Sequence, residues 1–208
     1  MKRVLVLGIG VLALFQLGAT QGGWFPWRSD KSPRALTLNA SESRIRFIGI
    51  KNNAVAVPGT FVGLGGSLDV DKRTAWVKIP LGLLSTGNEE RDLNIRTHYF
   101  NAEKFPLARF SIEKVTGAEE LPPIGGSVEV VAHGVLEMQR SRIELDVPVR
   151  ITREAHERLR VRNTEPLLLT TEQLGLEAGY KVLMAVCGHA ALSAVVPVEL
   201  DLVFDAGP

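Results

Sequence analysis

A single cysteine, Cys187, stands in the 208 residues, so no internal disulfide is available. Charge of one sign is missing too: 24 Lys and Arg against 23 Asp and Glu leave a net +1. No run of Lys and Arg forms a stripe that could track phosphates, which removes nucleic acid as a partner. The signatures G-x-S-x-G and H-E-x-x-H are absent, as is the P-loop, and no second ligand pair falls at zinc spacing. We therefore expect no catalytic residue, no metal and no cofactor. Long apolar runs are absent as well, since a membrane-spanning helix needs about 20 such residues.

What is present begins with Lys2 and Arg3, followed by an apolar stretch from Val4 to Phe15 and then Leu17, Gly18 and Ala19. Basic residues, an apolar stretch and a small-residue exit form the order of a secretory signal, assigned to residues 1–19. An uncleaved anchor is the competing reading, with Trp24, Phe25 and Trp27 at the membrane interface. Cleavage would take the net charge from +1 to −1, because two positive charges leave. A periplasmic or secreted location is expected. Residues 20–34, with Gly22, Gly23, Pro26 and Pro33, read as a linker, and one domain follows over 35–205.

Within that domain the apolar residues recur every second position. Ile45 and Phe47 alternate with arginines, and Ala75, Val77, Ile79 and Leu81 with Trp76, Lys78 and Pro80. Phe110 and Ile112 do the same. Ile143, Leu145, Val147, Val149 and Ile151 alternate without error with Arg142, Glu144, Asp146, Pro148 and Arg150, and Val196 to Phe204 close the chain in the same way. Such strands, apolar on one face and charged on the other, belong to antiparallel sheets wetted on one side. Turns are expected at Gly65-Gly66, Asp71-Lys72, Gly125-Gly126 and Gln139-Arg140. The class is all-β, a sandwich or a barrel, and the period does not choose between them.

The stretch Ser85 to Phe110 interrupts this pattern. Asn88 or Thr86 is placed to cap a helix of about two turns over Glu89 to Arg96, whose acidic first turn suits the helix dipole. Leu93 and Ile95 give that helix an inner side. Tyr99, Phe100 and Phe105 follow, then Pro106 before a new strand. Thr86-Gly87-Asn88, Arg91-Asp92, Phe100, Phe105-Pro106 and Phe110 in this order resemble the signature of the YceI-like family of polyisoprenoid-binding proteins. The chain departs from that signature at Leu93-Asn94-Ile95 and at His98-Tyr99. The likeness spreads more weakly over roughly Ala35 to Phe204, including Leu174-Gly175-Leu176.

The resemblance implies a lipocalin-like antiparallel β-barrel of about eight strands with one or two short helices, its interior taking a polyprenyl chain. Burial of each CH₂ contributes about 0.8 kcal/mol, so a long tail is held with little polar help. On that reading the apolar ligand-binding positions are Phe47, Phe61, Val77, Ile79, Leu81, Phe100, Phe110, Ile112, Leu145, Val147 and Leu200. Asn88, Arg91 and Arg96 are candidates for the polar end, since a guanidinium fork suits phosphate oxygens; the competing role for Arg91 is to fix the helix. Leu176, Tyr180, Leu183, Met184 and Cys187 fall at helical spacing, with Gly188 as C-cap, so a helix is expected to cap or plug the barrel.

Cys187 with His189 is weighed as a nucleophile and base, but residues two apart seldom face each other, and Cys187 reads as a small buried apolar residue. His98, His133 and His156 occur in unlike contexts. The expected function is that of an exported carrier or scavenger of an isoprenoid-type lipid, a polyprenyl phosphate or a quinone, with membrane proximity and a homodimer as further partner states. The alternatives are a ligand-free filled barrel serving as an envelope interaction or stress module and, more remotely, an enzyme using His98 or Cys187.

Overall fold

The computed structural model describes residues 35–206 except His189. The leader 1–19, the linker 20–34 and His189 lie outside the described residues. Six strands come first: β1 (Ala35–Leu38), β2 (Arg44–Lys51), β3 (Val55–Phe61), β4 (Gly65–Asp69), β5 (Thr74–Pro80) and β6 (Leu84–Ser85). Helix α1 (Glu89–Asn94) runs into a π-turn over Ile95–Tyr99. Then follow β7 (Leu107–Thr116), β8 (Ser127–Met138), β9 (Ser141–Ala155), β10 (Arg158–Asn163), β11 (Leu167–Thr170), α2 (Glu177–Cys187) and β12 (Val195–Asp205).

Pairing is antiparallel throughout, in the order β1-β4-β5-β7-β8-β9-β10-β12, and β12 pairs back onto β1. These eight strands form a closed barrel, as the family likeness implied; closure removes the exposed sheet edges that a sandwich would keep. β2, β3, β6 and β11 extend the wall towards the end that carries both helices.

Last strand β12 shows how the wall survives its interruptions. Where β1 gives way to β2, the fully buried Ser43 hydroxyl accepts from the Val203 amide at 3.0 Å. Where β10 gives way to β11, Asn163 accepts from the Leu200 amide at 2.7 Å and donates to the Val198 carbonyl at 3.0 Å. Each side chain replaces a ladder bond that the break removes, so no backbone group of β12 is stranded there.

The two-residue period sorts side chains as expected. On β9, Val147 and Val149 are buried while Arg142, Glu144, Asp146 and Arg150 are exposed. The outer face of β10 carries an ion-pair network: Arg158 contacts Glu42, Glu154 and Asp205, and Arg160 contacts Glu154 and Asp201. Hydrogen bonds from Arg160 and Arg158 hold the Glu154 carboxyl below the usual carboxylate range.

Three expectations need correction. Gly65-Gly66 is not a turn but the start of β4: a Cβ on Gly66 would lie 2.5 Å from the Trp76 carbonyl oxygen, so the glycine serves close strand approach. Leu93 does not face inward, being 58% exposed; Asp92 is buried in its place. Cys187 is only partly buried. The other turns form as expected, with Gln139 at φ 55° in the β8–β9 hairpin. Helix α2 ends at Cys187, with Gly188 at φ 60° as its C-cap.

Candidate functional site

The barrel interior is not filled by its own side chains. Two cavities lie along it. The first, of about 330 Å³, is walled by inward residues of β5, β7, β8, β9, β10 and β12. Its mouth lies between the β4–β5 turn, at Asp69, Asp71 and Arg73, and the loop after β7, at Glu119 and Glu120. The second, of about 170 Å³, lies at the helix-capped end. Tyr180 and Leu183 of α2 and Ile95 and Tyr99 of the π-turn roof it, and none of its lining residues is charged.

Sequence candidates divide between the two. Val77, Phe110, Ile112, Val147 and Leu200 line the first chamber, and Phe47, Phe61, Ile79, Leu81 and Phe100 line the second. Leu145 lines neither, although it packs against the core. It pairs with Gly134, over which the Phe110 ring lies: a Cβ there would come within 3.0 Å of that ring. Ala132 lies on the first-chamber side of Gly134 and Leu136 on the second-chamber side, so Phe110 and Leu145 stand at the partition.

The second chamber is rich in aromatic contacts. Phe47 and Phe61 have ring centroids 5.3 Å apart, Phe61 and Phe100 6.0 Å, and Tyr99 and Phe100 4.9 Å. Its polar atoms turn to the protein. Tyr99 meets the Thr171 hydroxyl at 3.3 Å, and burial pushes the Tyr99 hydroxyl pKa up despite that bond. Tyr180 donates to the Leu192 carbonyl.

Asn88, Arg91 and Arg96 line neither chamber. Asn88 caps α1, its side-chain oxygen accepting from the Arg91 amide at 2.8 Å. Arg91 donates to the Thr86 hydroxyl at 2.7 Å and to the Thr86 carbonyl at 2.8 Å. Arg96 donates to the Asp92 and Gly82 carbonyls at 3.2 and 3.3 Å. Asp92 accepts from the Thr86 amide at 2.8 Å and from its hydroxyl. This knot fixes how the chain leaves β6, crosses the barrel end and presents Phe100 inward. His98 and Cys187 also line neither chamber, and no cluster of metal-ligating residues occurs among the described residues.

The profile of the YceI-like domain matches residues 36–204. The chain belongs to the YceI-like family. Solved structures of similar fold include a polyisoprenoid binding domain from Saccharophagus degradans, implicated in plant cell wall breakdown. It is 23% identical with a TM-score of 0.76, over 83% of this chain and 98% of that one. BcnA of Burkholderia cenocepacia is 15% identical with a TM-score of 0.62, over 80% and 98%. The YCEI protein of Campylobacter jejuni is 14% identical with a TM-score of 0.57, over 76% and 91%. No curated protein matches.

In this YceI-like barrel, sequence reasoning expected the α2 cap but missed the lining that the loops supply. Leu121 and Ala118 reach the first chamber from a loop with no period, and Leu192 and Ser193 reach the second from the segment after α2. The helical spacing of Tyr180 and Leu183 was the available signal for the roof.

Proposed function

We propose that this protein is an exported carrier or scavenger that holds an isoprenoid-type apolar chain, a polyprenyl phosphate or a quinone, inside its barrel. The observation that carries the reading is the first chamber: about 330 Å³ of apolar-walled space in the middle of a β-barrel. That size falls within the about 300–1,000 Å³ range of small-molecule sites. A filled barrel serving only as an interaction module has no use for such space, because unfilled volume costs packing energy. Binding rather than catalysis fits a lining in which His98 and Cys187 take no part. The likeness to a polyisoprenoid binding domain supports the ligand class, and the order of residues 1–19 supports export to the periplasm or beyond.

The test is a displacement titration of a fluorescent prenyl probe on delipidated protein, beside Val147→Trp in the first chamber and Ile79→Trp in the second. Saturable uptake by the wild type is expected, with Val147→Trp reducing it while thermal unfolding shows an intact fold. In a filled core the same substitution would be overpacking, costing about 1–3 kcal/mol with no ligand to lose. No uptake by the wild type sinks the carrier reading, and equal uptake by all three proteins places the ligand outside the barrel.

A further inference from the structure

The barrel wall is not continuously paired along its whole height. β9 pairs with β8 over residues 141–152, but with β10 only from Val149 onwards. β11 pairs with β12 alone. Among the described residues, residues 141–147 of β9 and the facing strand β11 therefore have no strand between them and no ladder bonds to each other.

Prolines make the break. The Thr164 amide donates to the Pro148 carbonyl at 3.0 Å, which is the last bond on that side. In a strand the N–H and C=O of one residue point the same way, so Pro148 accepts there but has no N–H to return the bond. Pro166 removes a second donor just before β11. The chain leaving β10 kinks away, held by the Asn163 side-chain amide, which donates to the Glu165 and Val198 carbonyls at 2.7 and 3.0 Å. At its other end the slot closes where Gly175 backs so closely on the Ser141 hydroxyl that a side chain there would clash. Between these limits β9 runs for about 20 Å, at roughly 3.3 Å per residue.

The inner lips of this slot are apolar. Ile143 and Leu145 from β9 and Leu167 from β11 pack against the core without being fully buried, and none of them lines either chamber. The surface they leave open therefore lies on the side of their strands that has no neighbour. Their positions bracket the partition: Val147 borders the first chamber, while Leu169 and Leu136, the latter paired with Ile143, border the second. The end-on mouth of the first chamber is instead rimmed by Asp69, Asp71, Arg73, Glu119 and Glu120. An apolar tail entering there would have to strip water from charged groups.

We propose that the slot between β9 and β11 is a lateral portal through which an apolar chain enters and leaves the barrel interior. The proposal rests on the carrier reading, to which it adds the route of access. Parting β9 from β11 breaks no ladder bond, so the two lips can separate while the paired strands hold the barrel together. The charged outer residues of β9, Arg142, Glu144 and Asp146, discourage a strand of another chain from pairing into the slot.

The test is stopped-flow binding and release of a fluorescent prenyl probe by delipidated protein carrying Cys187→Ser, Glu144→Cys and Leu168→Cys. The two new thiols stand on opposite lips at exposed positions. Joined by a short bis-maleimide, they should slow association and release alike by about tenfold or more, because a blocked route raises the barrier without altering the bound state. Equilibrium affinity should match that of the same variant capped with N-ethylmaleimide. Leu167→Trp, which needs no cross-link, should slow both rates in the same sense. Glu119→Trp with Glu120→Trp, at the end-on mouth, should change neither. Unaltered rates in both the cross-linked variant and Leu167→Trp overturn the proposal, as does equal or greater slowing by the mouth variant. Probe that binds at unaltered rates leaves the carrier reading standing; a wild type that binds no probe ends both.

Discussion

Asn88, Gly87 and Asp92 show what single residues do in the family signature. Gly87 sits at φ 75°, where a side chain would strain the backbone, and Asn88 caps α1. Both roles were legible because they depend on a few neighbouring residues. The burial of Asp92 was not, because it requires Thr86, six residues back, to fold over and donate twice. The charge of Arg91 and Arg96 suggested a phosphate at the polar end, whereas their hydrogen bonds go to backbone carbonyls and a hydroxyl. Asn88→Ala should destabilise the protein by about 1 kcal/mol. Denaturant unfolding reads this as a lower midpoint with unchanged slope; an unmoved midpoint would show that the cap is redundant beside the Arg91–Thr86 contacts.

Strands were the most legible elements, since charged and apolar residues alternate with the pleat whatever the strand packs against. The period cannot tell which inward residue meets empty space and which meets another side chain. Val147 and Leu145 share one face of β9, but only Val147 lines a chamber. That difference comes from Gly134 and Phe110 on neighbouring strands and is invisible along β9 itself. Leu145→Ala should join the two chambers at a cost of about 2–5 kcal/mol. Competition between prenyl alcohols of different length should then shift in favour of longer chains. An unaltered length preference would place the partition elsewhere. Helix α2 was legible as a cap, but its roofing of one chamber follows from where β11 and β12 deliver it.

At the scale of the whole barrel, an apolar interior is joined to an outer wall that is charged on β9 and β10. Charged outer faces such as those of β9 and β10 keep the barrel in water, while the interior offers what an apolar chain lacks there. Chamber volume and the closure of β12 onto β1 are properties of the assembled barrel, so composition and periodicity left sandwich and barrel open, and it took the family likeness to favour the barrel. The central claim, that the interior holds an apolar chain, is tested most directly by mass spectrometry. Protein purified without detergent from its own cells would be extracted with organic solvent, with Val147→Trp treated in parallel. The account predicts an isoprenoid-type lipid near one per wild-type chain and strongly depleted in the variant; an extract free of such lipid, or equally loaded in both proteins, would contradict it.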